Sequence, residues 1–222
     1  MVESPDMRSS IIVLAAGSSQ RMGRPKPLLP FNGQTCLSLV LDAALRSRAE
    51  ETVLVLGAEA PSILTEAGRR VQAAQGNRIK YIINEGYARG QTSTLKTGLD
   101  SMSGQSDAFF LFPVDHPLVT SAEIDKLIDR LEAKPRGRTI FIPAHESRRG
   151  HPVLFSAAHR APILELGDDE PVHNYVRLRE GEIEQVSVEN PGVVSEMNTP
   201  EEYDKVLAIY KARQRREGGV LA

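Results

Sequence analysis

The chain has 222 residues, of which 41% are hydrophobic and 25% charged, and its formal net charge at pH 7 is −2. This composition predicts one globular domain with a sizeable core, and the charge lacks the basic excess of a nucleic-acid-binding protein. Cys36 is the only cysteine, which excludes an internal disulfide and a zinc site of several thiolates. No apolar run approaches the roughly 18 residues that span a bilayer. Since the N-terminal residues also lack the apolar segment of a secretory signal, we expect a cytoplasmic protein with no membrane or nucleic-acid partner.

Seven short runs rich in β-branched and aromatic residues predict β-strands. The first, second and fourth are almost continuously apolar, as strands buried on both faces of a sheet are. In chain order the runs are residues 11–16, 52–58, 80–85, 108–115, 139–144, 151–156 and 183–188.

Segments with helical periodicity lie between these runs. Residues 36–47 place leucine, valine and alanine side chains along one stripe. Residues 121–133 predict a second helix with Ser121 as its N-cap, and a last helix is expected to follow Thr199 as its cap, with Pro200 as first residue.

The alternation of strands and helices predicts a three-layer, doubly wound α/β fold with a mostly parallel sheet. A further helix is expected after residue 92, with Thr92 or Ser93 as its cap. We predict a single domain over residues 8–212, with flexible ends at residues 1–7 and 213–222.

The first predicted strand leads into a loop rich in glycine and cations, at the sheet edge where ligands of such folds bind. Gly17 and Gly23 allow the backbone to approach a phosphate closely, and Arg21 and Lys26 supply positive charge. Five residues separate the two glycines and Arg24 follows the second, so the loop matches neither a P-loop nor a dinucleotide-binding fingerprint. We predict an anion site of another kind, with an ordinary surface loop as the alternative.

Asp115 ends a predicted buried strand, so its carboxylate is expected at the same edge of the sheet. A carboxylate there can bind Mg²⁺, which commonly takes one or two carboxylates plus substrate phosphates. The alternative is an ordinary turn aspartate. The sequence offers no evident Ser-His-Asp or Cys-His set.

The opening loop, LAAGSSQRMGRPKPLL at residues 14–29, resembles a signature of the nucleotidyltransferase superfamily that contains the molybdenum cofactor cytidylyltransferases and guanylyltransferases. Later segments are similar to the other motifs of that family and follow its order. They are NEGYARGQTSTLKTGL, FPVDHPLVT, RGHPVLF and EMNTPEEY. The first motif is highly specific, RGHPVLF is moderately specific, and the others carry weight only together. The resemblance implies a Rossmann-like fold of the nucleotide-diphospho-sugar transferase type.

The resemblance also implies roles for residues in each motif. Arg21, Lys26 and Asp115 are the implied catalytic residues, and Asp115 and Asn198 are the implied ligands of Mg²⁺, the implied cofactor. Asn198 departs from the family, which usually has a second carboxylate at this place. Nucleotide binding is implied for Leu14, Ala15, Ala16, Gly17, Ser18, Met22, Gly23, Asn84, Gly90, Gln91, Thr92 and Ser93. Acceptor binding is implied for Arg149, Gly150, His151 and Pro152.

These roles imply a magnesium-dependent nucleotidylyltransferase that moves CMP from CTP onto a phosphorylated acceptor such as molybdenum cofactor and releases pyrophosphate. The base follows from LAAG, which resembles the cytidylyl branch, whereas guanylyl members usually have LAGG. An apo-molybdoenzyme or its maturation factor is a further expected partner.

Other functions stay open at this point. PKPLLP favours a sugar- or alcohol-phosphate acceptor for the same chemistry. Asn198 and the stretch around His173, which lacks the Gly-x-Arg common in the family, favour a non-catalytic protein that binds a nucleotide or cofactor for delivery. A dehydrogenase is the weakest alternative, because no G-x-G-x-x-G follows a predicted strand.

Overall fold

The computed structural model describes residues 7–73, 78–133 and 135–218. The strands in these residues are β1 (Ser9–Ala15), β2 (Pro30–Phe31), β3 (Gln34–Thr35), β4 (Glu51–Leu56), β5 (Ile79–Ile83), β6 (Ala108–Pro113), β7 (Ile140–His145), β8 (Arg148–Arg149), β9 (Val153–Ser156) and β10 (Ile183–Ser187). Eight of them form one sheet in the order β10-β7-β9-β6-β1-β4-β5, with β8 paired to β7. Only β8 and β9 run antiparallel to their neighbours in this sheet. A small hairpin of β2 and β3 stands apart.

Helices alternate with the strands along the chain. The described helices are α1 (Cys36–Arg46), α2 (Ala60–Ala73), α3 (Gln91–Ser101), α4 (Ser121–Glu132), α5 (Arg160–Leu164), α6 (Val172–Arg177) and α7 (Pro200–Gly218). In the part of the chain that the structure describes, no helix combines the length and the apolar character needed to cross a membrane.

The helices cover both faces of the sheet, and β1 shows why. Ile11 and Val13 join the core beneath α1, α2, α4 and α7, whereas Ile12 and Leu14 join the core beneath α3, α5 and α6. All four side chains are buried. Successive residues of a strand face opposite sides, so a continuously apolar strand requires a layer on each side. The predicted three-layer α/β architecture is confirmed.

The pairing of β1 with β6 brings distant segments together. The two strands are parallel neighbours, and Leu14 lies beside Pro113 in their register. Parallel strands end at the same edge of a sheet, so the loop that follows β1 and the residues that follow β6 leave the sheet side by side. This places the glycine-rich loop next to Asp115.

All seven predicted strands are confirmed, with ends that differ by at most two residues. Two predicted caps are wrong. Thr120, not Ser121, caps α4, because the Thr120 hydroxyl and backbone N–H form a capping box with Glu123. Neither Thr92 nor Ser93 caps α3, because this helix already begins at Gln91, directly after a glycine in an extended, positive-φ conformation.

The last helix begins as predicted and extends further. Thr199 accepts a hydrogen bond from the backbone N–H of Glu202, and Pro200 is the first helical residue. The helix continues to Gly218, six residues beyond the predicted end of the domain at residue 212. Residues 1–6 and 219–222, which belong to the ends predicted to be flexible, lie outside the described residues.

Candidate active site

A cavity of about 740 Å³ opens at the carboxyl ends of β1 and β6. Its walls come from the loop after β1, the approach to α3, the residues after β6 and one residue before α7. The lining residues are Leu14, Ala15, Ala16, Gly17, Ser18, Ser19, Gln20, Arg21, Lys26, Pro27, Tyr87, Ala88, Gly90, Gln91, Thr94, Pro113, Val114, Asp115 and Asn198. All three predicted catalytic residues and both predicted metal ligands therefore line one cavity.

The loop after β1 is a folded structure rather than a free surface loop. A short 3₁₀ helix spans Gln20–Met22 and ends at Gly23, whose φ of 70° is a conformation that favours glycine. The side chain of Met22 is buried in the core and anchors this turn to it. The hydroxyl of Ser19 accepts a hydrogen bond of 3.0 Å from the backbone N–H of Lys26. Met22 and Gly23 thus shape the loop but do not line the cavity.

Four side chains form a polar cluster on the cavity wall. The ammonium of Lys26 donates to Asp115 Oδ2 at 2.8 Å and to Asn198 Oδ1 at 2.7 Å. The guanidinium of Arg21 donates to the same Asn198 oxygen at 3.2 Å. We call Arg21, Lys26, Asp115 and Asn198 the cation cluster. It joins residues from three separate motifs of the sequence.

The cation cluster keeps Asp115 ionised. Burial by itself raises the pKa of this carboxyl, but the neighbouring His116 and the Lys26 ammonium outweigh it, and the pKa lies below its ordinary value. Asp115 is therefore a carboxylate near pH 7, with its charge shared with Lys26. A cation held in this way remains available to a phosphate, since the side chain of Lys26 is still 16% exposed.

Two histidines lie behind Asp115. Nε2 of His116 is 3.8 Å from Asp115 Oδ1, and the rings of His116 and His151 are 4.9 Å apart. Burial lowers the pKa of His116, and burial together with the neighbouring His116 lowers the pKa of His151 to about 3. Both rings are mostly neutral near pH 7 and add little positive charge to the cavity there, and His116 lowers the pKa of Asp115 through the protonated form that it takes up in acid.

In the second predicted nucleotide segment, residues 84–93, some residues line the cavity and others support them from behind. Gly90 and Gln91 line the cavity. Asn84 is buried behind them, where it donates to Ser93 Oγ at 2.9 Å and accepts from the backbone N–H of Gly86 at 2.9 Å. The hydroxyl of Thr92 points away and donates to the backbone carbonyl of Glu170. Asn84, Thr92 and Ser93 therefore hold the wall in shape without forming it.

An acidic loop at residues 165–170 fastens this segment from outside. Asp168 pairs with Arg89 at 2.7 Å and with Lys96 at 2.9 Å, and these bonds hold its pKa below the ordinary value. Lys96 also donates to the backbone carbonyl of Leu166 at 2.8 Å. The sequence reasoning missed this connection, because nothing in the local pattern links residues separated by more than seventy positions.

The predicted acceptor segment lies beside the cavity rather than in its wall. Gly150 packs so closely on the Val193 backbone that an added Cβ would come within 2.1 Å of the Val193 oxygen. The backbone N–H of His151 donates to that same oxygen, and the ring of His151 packs against that of His116 behind Asp115. Arg149 forms a two-pronged ion pair with Glu180. The acceptor roles of Arg149, Gly150, His151 and Pro152 stay predictions.

Several lining residues were not predicted. Tyr87 and Ala88 lie between two predicted positions in the segment NEGYARGQ, so their neighbours were the available signal. The others are Ser19, Gln20, Pro27, Thr94, Pro113 and Val114. Their side chains are small, apolar or uncharged, which leaves no chemical signature in the sequence.

The oxygen donors of the cavity suit a metal ion whose coordination shell is completed by oxygens of the substrate. Among the described residues, no group of three His, Cys, Asp or Glu side chains could hold a metal. Asp115 offers a carboxylate with one oxygen not bonded to Lys26, and Asn198 offers an amide oxygen that already accepts from two cations. Mg²⁺ needs only one or two carboxylates when phosphates supply further oxygens. Asp115 fits that demand and Asn198 would add a neutral ligand.

A doubly wound sheet with a cation cluster and a glycine-rich loop at its carboxyl edge defines a nucleotide-binding α/β enzyme. Residues 11–185 match the family described as MobA-like NTP transferase domain. The match covers more than half of the chain, so the protein belongs to this family and is a nucleotidyltransferase.

Similar proteins carry names of different activities. "Molybdenum cofactor cytidylyltransferase" of Escherichia coli (strain K12) is 28% identical over 196 residues, covering 86% of this chain and 92% of that protein. "Nicotine blue oxidoreductase" of Paenarthrobacter nicotinovorans is 24% identical over 209 residues, covering 90% of this chain and 94% of that protein. The solved structure of a nucleotidyl transferase from Methanothermobacter thermautotroptrophicus superposes with a TM-score of 0.76 at 22% identity, covering 93% and 99% of the two chains. This last likeness supports the Rossmann-like fold.

Proposed function

We propose that this protein is a magnesium-dependent nucleotidylyltransferase that moves CMP from CTP onto a phosphorylated acceptor, molybdenum cofactor, and releases pyrophosphate. The cation cluster carries the proposal. It combines two side-chain cations with one carboxylate beside a glycine-rich loop, which is what a triphosphate with its metal ion requires.

The reaction needs little acid–base help from the protein. The second pKa of a phosphate monoester is about 6, so the acceptor phosphate is largely a dianion near pH 7. One of its oxygens attacks the α-phosphorus and forms a new O–P bond. The bond between the α-phosphorus and the oxygen that bridges it to the β-phosphorus breaks, and pyrophosphate leaves with that oxygen. In-line positioning and neutralisation of negative charge are the main tasks left to the enzyme.

The chain's own residues suit these two tasks. Arg21 and Lys26 would neutralise charge that builds on the α-phosphate and on the leaving pyrophosphate, a contribution of about 3 kcal/mol for one such group. Asp115, with Asn198 as a neutral second oxygen, would hold Mg²⁺, which supplies further charge neutralisation when bound. Gly17 and its small neighbours leave room for the phosphates against the backbone.

The base and the acceptor rest on separate observations. Ala16 lines the cavity, and its methyl group leaves less room for a purine than glycine would. The cytidylyltransferase named above supports the same base and the same acceptor. The relative named as an oxidoreductase does not change the proposal, since one fold supports unrelated reactions and the cation cluster is suited to phosphates.

Two other functions are kept as candidates. A sugar- or alcohol-phosphate acceptor would use the same cavity, and the separation of Arg149 from that cavity favours it. A non-catalytic protein that binds a nucleotide or cofactor for delivery is favoured by the neutral Asn198 in the metal position.

Pyrophosphate release tests the proposal. The protein is incubated with Mg²⁺, each of the four ribonucleoside triphosphates, and either molybdenum cofactor or sugar phosphates as acceptor. We expect release with CTP and molybdenum cofactor, and an at least about hundredfold loss in Asp115→Asn, because the carboxylate that would hold the metal is gone. Asp100→Asn, an exposed position on α3 outside the cavity, is the matched control and should retain activity. The enzymatic proposal would be overturned if none of the four triphosphates gave pyrophosphate and the Asp115→Asn variant behaved like the parent protein in the same assay.

A further inference from the structure

The side-chain oxygen of Asn198 is the point where the two cations of the cavity meet. It accepts from Lys26 at 2.7 Å and from Arg21 at 3.2 Å, while Lys26 reaches Asp115 at the same time. A residue that served only as a metal ligand would have no need to order these donors. The geometry makes Asn198 the acceptor that holds both cations against the cavity wall.

The backbone around Asn198 is held firmly enough for this task. The preceding residue, Met197, is completely buried in the core. The carboxylate of Glu202 accepts from the backbone N–H of Asn198 at 2.6 Å and of Thr199 at 3.1 Å, at the start of α7. Asn198 therefore sits between a buried anchor and a helix terminus, and its side chain lines the cavity.

The neutrality of Asn198 sets the charge of the cavity. Among the described lining residues, Arg21 and Lys26 are the cations and Asp115 is the single carboxylate. With an amide at position 198 the wall carries one net positive charge, and with a carboxylate there it would carry none. A positive wall attracts a phosphate chain without help from a metal ion, whereas a neutral wall depends on the metal for that attraction.

We propose that Asn198 is a positioning residue that holds Lys26 and Arg21 toward the phosphates and lets the site bind the triphosphate group without a divalent metal. This inference rests on the proposed function, since it takes the cavity to be the triphosphate site. It adds that the polyphosphate does not need the metal in order to bind, and that the metal, when present, would be held by Asp115, Asn198 and the bound phosphates.

Calorimetry with a base-free probe tests the inference. Inorganic tripolyphosphate is titrated into the protein in EDTA and, separately, with excess Mg²⁺. We expect the parent protein to bind in both. In Asn198→Asp the affinity in EDTA should fall at least about tenfold, because a negative charge is added beside both cations. With Mg²⁺ the affinity should fall less or rise, because the new carboxylate can bind the metal.

Two further variants separate charge from folding. Asn32→Asp makes the same chemical change at an exposed position outside the cavity, and should bind like the parent protein in both conditions. Arg21→Gln removes one positive charge and should also weaken binding in EDTA. Because loss of structure would weaken binding with and without metal alike, a loss of affinity by Asn198→Asp that is larger in EDTA than with Mg²⁺ cannot come from misfolding.

The outcomes distinguish this inference from the proposed function. Binding by the parent protein with Mg²⁺ but not in EDTA overturns the inference alone, and so does an Asn198→Asp variant with unchanged affinity in EDTA. Failure of the parent protein to bind tripolyphosphate or CTP in either condition overturns both.

Discussion

Lys26 is the residue whose surroundings define the site most clearly. Its ammonium lies between a carboxylate and an amide oxygen, both less than 3 Å away, and its own backbone N–H is fixed by Ser19. Asp115 depends on this contact, because burial by itself favours its protonated form. Lys26 thus supplies positive charge to the cavity and, together with His116, lowers the pKa of the Asp115 carboxyl.

Replacing Lys26 with methionine should destabilise the protein in a pH-dependent way. The folded-state pKa of Asp115 is depressed, so the ion pair stabilises the protein above the unfolded-state pKa of about 3.9. That contribution is lost as the pH falls through the folded pKa. We expect Lys26→Met to lower the free energy of unfolding at pH 7 by up to about 3 kcal/mol, with the difference shrinking below about pH 4. Urea denaturation across this pH range measures it.

The control for this prediction is Lys126→Met, an exposed lysine of α4 that donates to a backbone carbonyl. It should show a small loss that does not vary over the same pH range. A Lys26→Met loss that is equally large at pH 7 and at pH 3 would contradict the role assigned to the pair.

At the scale of elements, hydrogen bonds and ion pairs join two segments near the cavity, the approach to α3 and the acidic loop at residues 165–170. The approach to α3 supplies Tyr87, Ala88 and Gly90 to the wall, and the acidic loop at residues 165–170 fastens it from outside. Asp168 pairs with Arg89 and Lys96 at once, and Lys96 and Thr92 also donate to backbone carbonyls of this loop. The wall therefore owes its shape to a loop that does not itself line the cavity.

Asp168→Asn should affect ligand binding more than stability. Partly exposed ion pairs near the surface contribute little to stability, so the melting temperature should change little. The segment at residues 86–91 should exchange its amide hydrogens faster, and the KM for the nucleoside triphosphate should rise about fivefold. Hydrogen exchange and steady-state kinetics provide the two measurements.

Asp169→Asn is the matched control, since Asp169 is the exposed neighbour of Asp168 in the same loop. It should leave both the exchange rates and KM unchanged. Equal effects of the two variants would show that the loop acts through its net charge and not through the contacts of Asp168.

For the whole molecule, the sequence predicted the strands of the sheet, most of the long helices and the four residues of the cation cluster. β1, β4 and β6 were predictable because strands buried on both faces must be apolar throughout. Helix α2 was missed because proline and glycine interrupt its sequence and hide the apolar stripe of Ala60, Ile63 and Ala67, and α5 and α6 are too short for periodicity to appear. Lys26 and Asp115 could be paired in advance because parallel strands deliver their following residues to one edge.

The remaining features depend on long-range packing. The pairing of Arg149 with Glu180, the contacts of Asp168 and the convergence of two cations on Asn198 are set by how the layers meet. The family resemblance singled out Asn198 as a departure, and the structure shows which side chains it contacts.

The transfer of the α-phosphate tests the central claim most directly. The protein is incubated with Mg²⁺, molybdenum cofactor and CTP that carries a radioactive α-phosphate, and the products are separated. We predict that the label appears on the acceptor in a one-to-one ratio with unlabelled pyrophosphate, and that this transfer falls at least about hundredfold in Lys26→Met. Label that stays with free nucleotide, or phosphate released from the γ-position instead of pyrophosphate, would contradict the claim.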